Sequence, residues 1–362
     1  MTTKHFRDDR QPALDGLRGI AALFVVFSHA SSAGMPIIPG IDASASGQIG
    51  VWLFFVLSAF LLTTQMYKQA IDRRLTCLFL ADYGLARLFR IFPLYATVLA
   101  GYAYLGAFTW HRAVAHLMLR EGIGHFWTIP VEMKFYLALP CIVIVSWLFR
   151  RHPDASIFVC LGAASLITFW SRSDTLESDG GNTIGLFPYL PAFLCGTAAA
   201  LSLYRGRAPF GLWWAAVATL FTILTLPSVF AGIFGVSIFN VPAATVCVLL
   251  SLHGAAWTVI VMAAVTDRRV GDVLSARWLQ YIGAVAFPLY LLHYPLIPVA
   301  THYLHGWHAG PVFFLGSLAI AWGAHTMIER PGMVLGKSLR RAVRIAFREA
   351  SPEDPAASPF HP

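Results

Sequence analysis

The sequence predicts an all-α, polytopic membrane protein of about ten spanning helices with both termini in the cytoplasm. Three observations predict it. Of the 362 residues, 57% are hydrophobic and only 12% are charged, with a mean hydropathy of +0.65, whereas soluble domains carry about 25% charge. The apolar runs are continuous over roughly 20 residues, the length a helix needs to cross a bilayer core, and lack the period-two alternation of a membrane β-barrel. The basic residues lie in short clusters between those runs, so the net charge of +8 sets topology and does not point to nucleic acid.

Each element follows from these rules. The first run, 12–33, follows Lys4, Arg7 and Arg10 in the manner of a secretory signal, but it is long and no clean small-residue cleavage pattern follows, so it stays as the first span. The remaining helices are expected at 48–66, 90–108, 130–149, 156–171, 185–204, 211–227, 242–265, 279–300 and 310–328. Between the second and third, "YKQAIDRRLTCLFLADYGLARLFR" reads as an amphipathic segment on the cytoplasmic face, cations toward headgroups and Leu and Phe toward acyl chains. With the N-terminus inside, all of the 26 basic residues except Arg112, Arg120, Lys134 and Arg172 fall on the inner side, and the acidic run Asp174, Glu177 and Asp179 lies outside. An extra span over 228–241 would turn Arg268, Arg269 and the basic tail outward, so that stretch is expected to extend a neighbouring helix or dip into the membrane.

The domain plan is therefore a cytoplasmic segment 1–11, one membrane-embedded domain 12–330, and a tail 331–362 that is basic and then proline-rich. Its end, from Ser351, is expected to be disordered. The five cysteines are scattered through apolar runs, with neither metal-like spacing nor a disulfide framework.

Charged residues within the apolar runs carry the functional signal. In "LDGLRGIAALFVVFSHA", Arg18 and His29 are eleven residues apart, which puts both on one helix face about 16 Å apart along the axis. Asp15 shares that face and is placed to pair with Arg18. Leaving one such group against lipid costs on the order of 3 kcal/mol, so the face points into the bundle or a wet cavity. Two readings stand: an interface ion pair with a packing histidine, or a functional stripe.

In "HFWTIPVEMKFYLALP", Glu132 enters a helix near His125, as equipment for moving protons or as a carboxylate favoured by the helix N-terminus after Pro130. Arg87 and Arg90, three apart on one face, either grip phosphate oxygens or anchor topology. His293, mid-helix between prolines, reads as core packing. Trp52, Trp110, Trp127 and Trp307 are placed to stack on sugar rings or to form the ordinary interfacial belt.

These residues carry a resemblance. The sequence resembles the acyltransferase 3 family of integral membrane acyltransferases, which modify sugars and related acceptors. The matching blocks are "LDGLRGIAALFVVFSHA", with the family's arginine, ten residues, histidine signature at Arg18 and His29; "FFVLSAFLL" at 54–62; "RLFR" at 87–90; "FWTIPVEMKFYLALP" at 126–140; "FPLYLLHYPL" at 287–296; and "IERP" at 328–331. They occur in family order across nearly the whole membrane domain. The resemblance implies ten spans in a bacterial plasma (inner) membrane, an acyl-coenzyme A donor on the cytoplasmic side, and transfer, most simply of acetyl, to a hydroxyl of a carbohydrate or glycoconjugate at the outer half. It implies His29 as the catalytic base, Glu132 as its partner or a second acid/base, and Arg18, Arg87 and Arg90 on the donor side. Asp15, Ser58, Trp127, Tyr136 and His293 support the site, and no metal or permanently bound cofactor is expected.

The chain departs from the family at Ala59, usually glycine; at Met133 and Lys134, usually glutamate and glutamine; and at Ala286, Phe287 and Pro288, usually serine, tyrosine and serine. The ammonium of Lys134 is expected to bear on Glu132. Many relatives carry an appended periplasmic hydrolase-like domain, which this chain is expected to lack. The rival class is a proton-coupled exporter of a lipid or sugar-bearing metabolite with Arg18 and His29 as a relay, although no repeated halves are visible. A binding or sensing protein that has lost the chemistry is a third.

Overall fold

A computed structural model of the chain describes residues 11–150, 153–170, 183–206, 210–235 and 243–350. Every regular element among them is helical. Six helices are long and apolar enough to cross a bilayer, and eight spans result if each of two sharply bent pairs counts as one. Lys4, Arg7, Arg10, Arg151, Arg172, Arg207, the acidic run and the tail from Ser351 lie outside the described residues.

Several helices lie within a few residues of the expected runs: α1 (Pro12–Ser32), α2 (Gly47–Ile71), α5 (Thr128–Leu148), α6 (Pro153–Trp170), α7 (Leu190–Tyr204), α8 (Leu212–Leu224), α10 (Ala243–Thr266) and α14 (Ala309–Ala324). Apolar length alone placed them.

The departures have local causes. The segment before Arg90 is the first half of one helix, α3 (Cys77–Tyr104), capped by Thr76 Oγ1, which accepts from Phe79 N at 3.2 Å. A short helix, α4 (Trp110–Leu117), follows it, capped in the same way by Thr109. The expected single span 211–227 ends early and bends by 72° into α9 (Pro227–Phe234), because Pro227 holds Leu226 extended. The described part of 228–241 is that short helix; the remainder is not described. The expected helix 279–300 breaks into α12 (Arg277–Ala284) and α13 (Ala286–Tyr303), inclined at 70°. Pro288 has no N–H for the carbonyl of Ala284, and its ring crowds that carbonyl, so the axis turns there. The last run continues past α14 through a π-helical turn, His325–Glu329, into α15 (Arg330–Ala350).

Asp267 joins α10 to α11 (Arg268–Leu274) and caps two helices, accepting from Arg269 N at 2.9 Å and, across the fold, from Leu212 N at 3.0 Å. Those N–H groups, that of Leu212 first, hold its carboxyl below the usual carboxylate range.

α1 packs on α2, α12 and α13, and α2 packs on α7. The crossing of α1 with α12 is backbone against backbone. A Cβ on Gly19 would run into the carbonyl of Leu279, and one on Gly283 into that of Asp15, so small residues decide how closely these helices approach. Between α2, α5 and α7 a ring stack fills the core: Phe193 lies 4.5 Å from Phe55 and 4.1 Å from Phe135.

Candidate active site

α1 carries His29 in its last turn, where α13 crosses it. His29 Nδ1 lies 2.7 Å from His293 Nε2, and the two rings are nearly parallel, 5.1 Å apart. His293 is fully buried, and its Nδ1 lies 2.8 Å from the carbonyl oxygen of Leu289, one turn back on α13. A carbonyl only accepts, so His293 Nδ1 bears the hydrogen, and in the neutral ring Nε2 is left with the lone pair. That lone pair accepts the Nδ1–H of His29. The chain of bonds assigns His29 the tautomer whose Nε2 is unprotonated and makes no hydrogen bond among the described residues, which is the form a general base requires.

Two further groups complete this layer. The ring of His125, buried in the 3-10 turn Gly124–Trp127 that leads into α5, stacks on Tyr294 at 4.8 Å, lies 6.1 Å from that of His293, and bonds through Nε2 to Leu291 O at 3.2 Å. Tyr294 meets His29 edge-on at 5.3 Å. Tyr290 donates its hydroxyl hydrogen to the carbonyl of His125 and accepts from Thr128 Oγ1 at 2.9 Å, tying α13 to the first turn of α5.

Tyr290 and Thr128 also line a cavity of about 120 Å³ that reaches Arg18, Arg87, Arg90, Glu132 and Glu329. Arg18 Nη1 bonds Asp15 Oδ1 at 2.8 Å, as the spacing predicts. Arg87 Nε is buried with no hydrogen-bond partner among the described residues. Glu132 is held through one oxygen: Ser58 Oγ donates to Oε1 at 2.6 Å, and the Tyr136 hydroxyl, one turn along α5, donates to the same atom. Two hydroxyl donors on one oxygen fix the position of the carboxyl group. At the π-helical turn, Glu329 is 4% exposed and bonds His325 Nδ1 at 2.6 Å. No group of three or more His, Cys, Asp and Glu among the described residues is arranged to hold a metal ion.

Arg18, Arg87, Arg90, Glu132, Ser58 and Tyr136 therefore gather on one cavity, and His29 pairs with His293 in an adjacent layer. Three expectations need correction. The hydrogen bonds of Glu132 go to Ser58 and Tyr136, so a carboxylate is not what orients His29; a second histidine does so. Lys134 turns away and donates to Ile184 O at 2.6 Å, pinning α5 to the segment before α7. Trp127 is a core residue, 4% exposed and packed on Tyr189 at 4.7 Å, and Trp52 is equally buried, so neither presents a face to a sugar; Trp110 and Trp307 are exposed.

Sequence reasoning placed His293 among the supporting residues but missed its pairing with His29, because the two lie 264 residues apart. It also missed Glu329, whose "IERP" block was visible but not the π-helical turn, a backbone feature often found at functional sites.

A family described as an acyltransferase domain matches residues 11–326. Among curated proteins, the chain is 24% identical over 340 residues to a Bacillus subtilis (strain 168) protein named provisionally as peptidoglycan O-acetyltransferase YrhL, covering 80% of this chain and 49% of that one. It is 22% identical over 333 residues to O-acetyltransferase OatA of Staphylococcus aureus (strain NCTC 8325 / PS 47), covering 82% and 52%. A stretch of 87 residues is 40% identical to Protein 2 in picA locus of Rhizobium radiobacter, covering 24% and 41%. The chain thus spans about half the length of the curated O-acetyltransferases it matches along most of its own. No solved structure matches it.

Proposed function

This chain belongs to the family defined by that acyltransferase domain, and from that premise we propose that it moves an acetyl group from cytoplasmic acetyl-coenzyme A to a glycan hydroxyl at the outer half of a bacterial plasma membrane. The names of the relatives make a peptidoglycan sugar the first acceptor to try. An enzyme that transfers acyl groups leaves the exporter reading without support. Ten spans with both termini inside fit this reading: the eight that length and composition supply, together with α3 and the shorter apolar α6.

The single observation that carries the mechanism is the bond chain Leu289 O, His293, His29. With Nδ1–H committed to His293, His29 Nε2 takes the proton of the acceptor hydroxyl. The oxygen forms its bond to the thioester carbonyl carbon, the carbon–sulfur bond breaks, and the proton passes from Nε2 to the departing sulfur, releasing coenzyme A as a thiol. A second imidazole stabilises the transient imidazolium less than a carboxylate would, so His293 serves mainly to hold ring orientation and tautomer. Arg87 and Arg90 meet the donor's phosphates, with Arg18, held by Asp15, further along the cavity wall. Glu132, fixed by Ser58 and Tyr136, is a second acid/base along the cavity.

The test is acetyl transfer from acetyl-coenzyme A to peptidoglycan fragments by the purified protein. His29→Ala is expected to lower turnover by roughly 10²- to 10⁴-fold, the range for a lost general base, with the protein still folded and donor binding retained. Full residual turnover removes His29 from the chemistry.

A further inference from the structure

The N-terminal half of α3 and the C-terminal helix α15 enclose a second cavity, of about 190 Å³, which shares Arg87 and Arg90 with the first. Their contact is antiparallel and close because of Gly332 and Gly336, spaced four apart: a Cβ on the first would meet Pro93, and one on the second would meet Phe89. That approach carries Arg340, one turn further along α15, to Asp82 of α3.

Arg340 Nη1 at 3.2 Å and Arg344 Nη2 at 2.8 Å both bond Asp82 Oδ2. Asp82 Oδ1 and Arg340 Nε are buried with no hydrogen-bond partner among the described residues, as is Arg87 Nε. Three guanidinium groups, Arg87, Arg90 and Arg340, thus face the cavity against one carboxylate, with donors left unused, and the rings of Phe79, Tyr83 and Phe89 form part of its wall. Buried donors without acceptors are costly to leave empty. Several planar cations beside aromatic rings suit a ligand that joins phosphates to a flat base.

We propose that this second cavity receives the adenosine-phosphate head of the acyl donor and that Arg340 of the C-terminal helix is a phosphate-binding residue, taken over from Asp82 when the donor enters. The assignment rests on the donor reading above and adds to it a subsite formed by α15. The acyl-bearing arm then passes Arg87 and Arg90 into the first cavity.

Binding to the full-length, detergent-purified protein is measured for acetyl-coenzyme A, adenosine 3′,5′-bisphosphate, S-acetylpantetheine, which has no nucleotide, and phosphatidylglycerol in mixed micelles. Arg340→Gln is expected to weaken acetyl-coenzyme A and the bisphosphate by roughly tenfold or more, the loss of one charge-assisted hydrogen bond, and to leave S-acetylpantetheine unchanged. Asp82→Asn, which preserves shape and frees Arg340, is expected to tighten the bisphosphate and so keeps the proposal falsifiable should Arg340→Gln fail to fold. Unchanged or weaker bisphosphate binding in Asp82→Asn overturns it. Acetyl-coenzyme A binding that is lost in the Arg87→Ala, Arg90→Ala double variant but untouched by Arg340→Gln removes this subsite and leaves the donor reading standing. No acetyl-coenzyme A binding to the wild type removes both. An Arg340→Gln effect on phosphatidylglycerol alone reassigns the cavity to a lipid headgroup.

Discussion

The histidine layer and the arginine cavities lie side by side and are built in opposite ways. Around His29 the polar atoms other than its own Nε2 have partners within the protein: Leu289 O takes the ring hydrogen of His293, His293 takes that of His29, and Tyr290 joins His125 to Thr128. Around Arg87 and Arg340, buried donors are left without acceptors. A satisfied network holds one geometry and one tautomer, which chemistry needs before substrate arrives. An unsatisfied set of cations gains its acceptors only when an anion enters, which suits binding. Under the proposed function, turnover belongs to one region and affinity to the other.

Substitutions can break or sharpen that division. After His29→Ala, the largest effect is expected from His293→Phe, which keeps a flat aromatic ring but removes the acceptor that fixes the His29 tautomer. Turnover should fall about 10²-fold with donor affinity unchanged, and His293→Gln, whose side-chain oxygen can accept the same hydrogen, should recover part of the loss. A matching loss of donor affinity would show that the two regions are not separable. Next comes the Arg87→Ala, Arg90→Ala double variant, which should raise the donor KM by 10- to 100-fold, at about 1.5–3 kcal/mol for a hydrogen bond to a charged group. Isothermal titration should show wild-type binding weakening with added salt and the variant losing much of that dependence. An unchanged KM would make these arginines topology anchors. The smallest effect is expected from Ser58→Ala, which leaves Glu132 with only the Tyr136 hydroxyl and should lower turnover by about tenfold or less at constant donor affinity. A larger fall than that of His293→Phe would move the centre of the chemistry to Glu132.

Legibility followed the range of each interaction. The pairing of Asp15 with Arg18 was readable because it lies within one helical turn. The gathering of Arg18, Arg87 and Arg90 on one cavity was readable only through the order of the family's blocks, since nothing local says that α1 and α3 face each other. The partner of Glu132 was misjudged because Ser58 lies 74 residues earlier on another helix, while Lys134 was close in sequence but pointed elsewhere. Asp82 gave no signal at all: its two arginines come 258 and 262 residues later.

From the sequence alone came the class of the protein, the approximate position of most spans, and the short list of ionisable residues worth watching. Hydrophobic transfer is close to additive along a chain, and an ionisable group in an apolar run is conspicuous wherever its helix packs. The tertiary structure decided which of those residues are partners, where helices bend, and how α15 closes on α3. Those outcomes depend on how near two backbones come, and at Gly19, Gly283, Gly332 and Gly336 that distance is set by the absence of a single carbon atom.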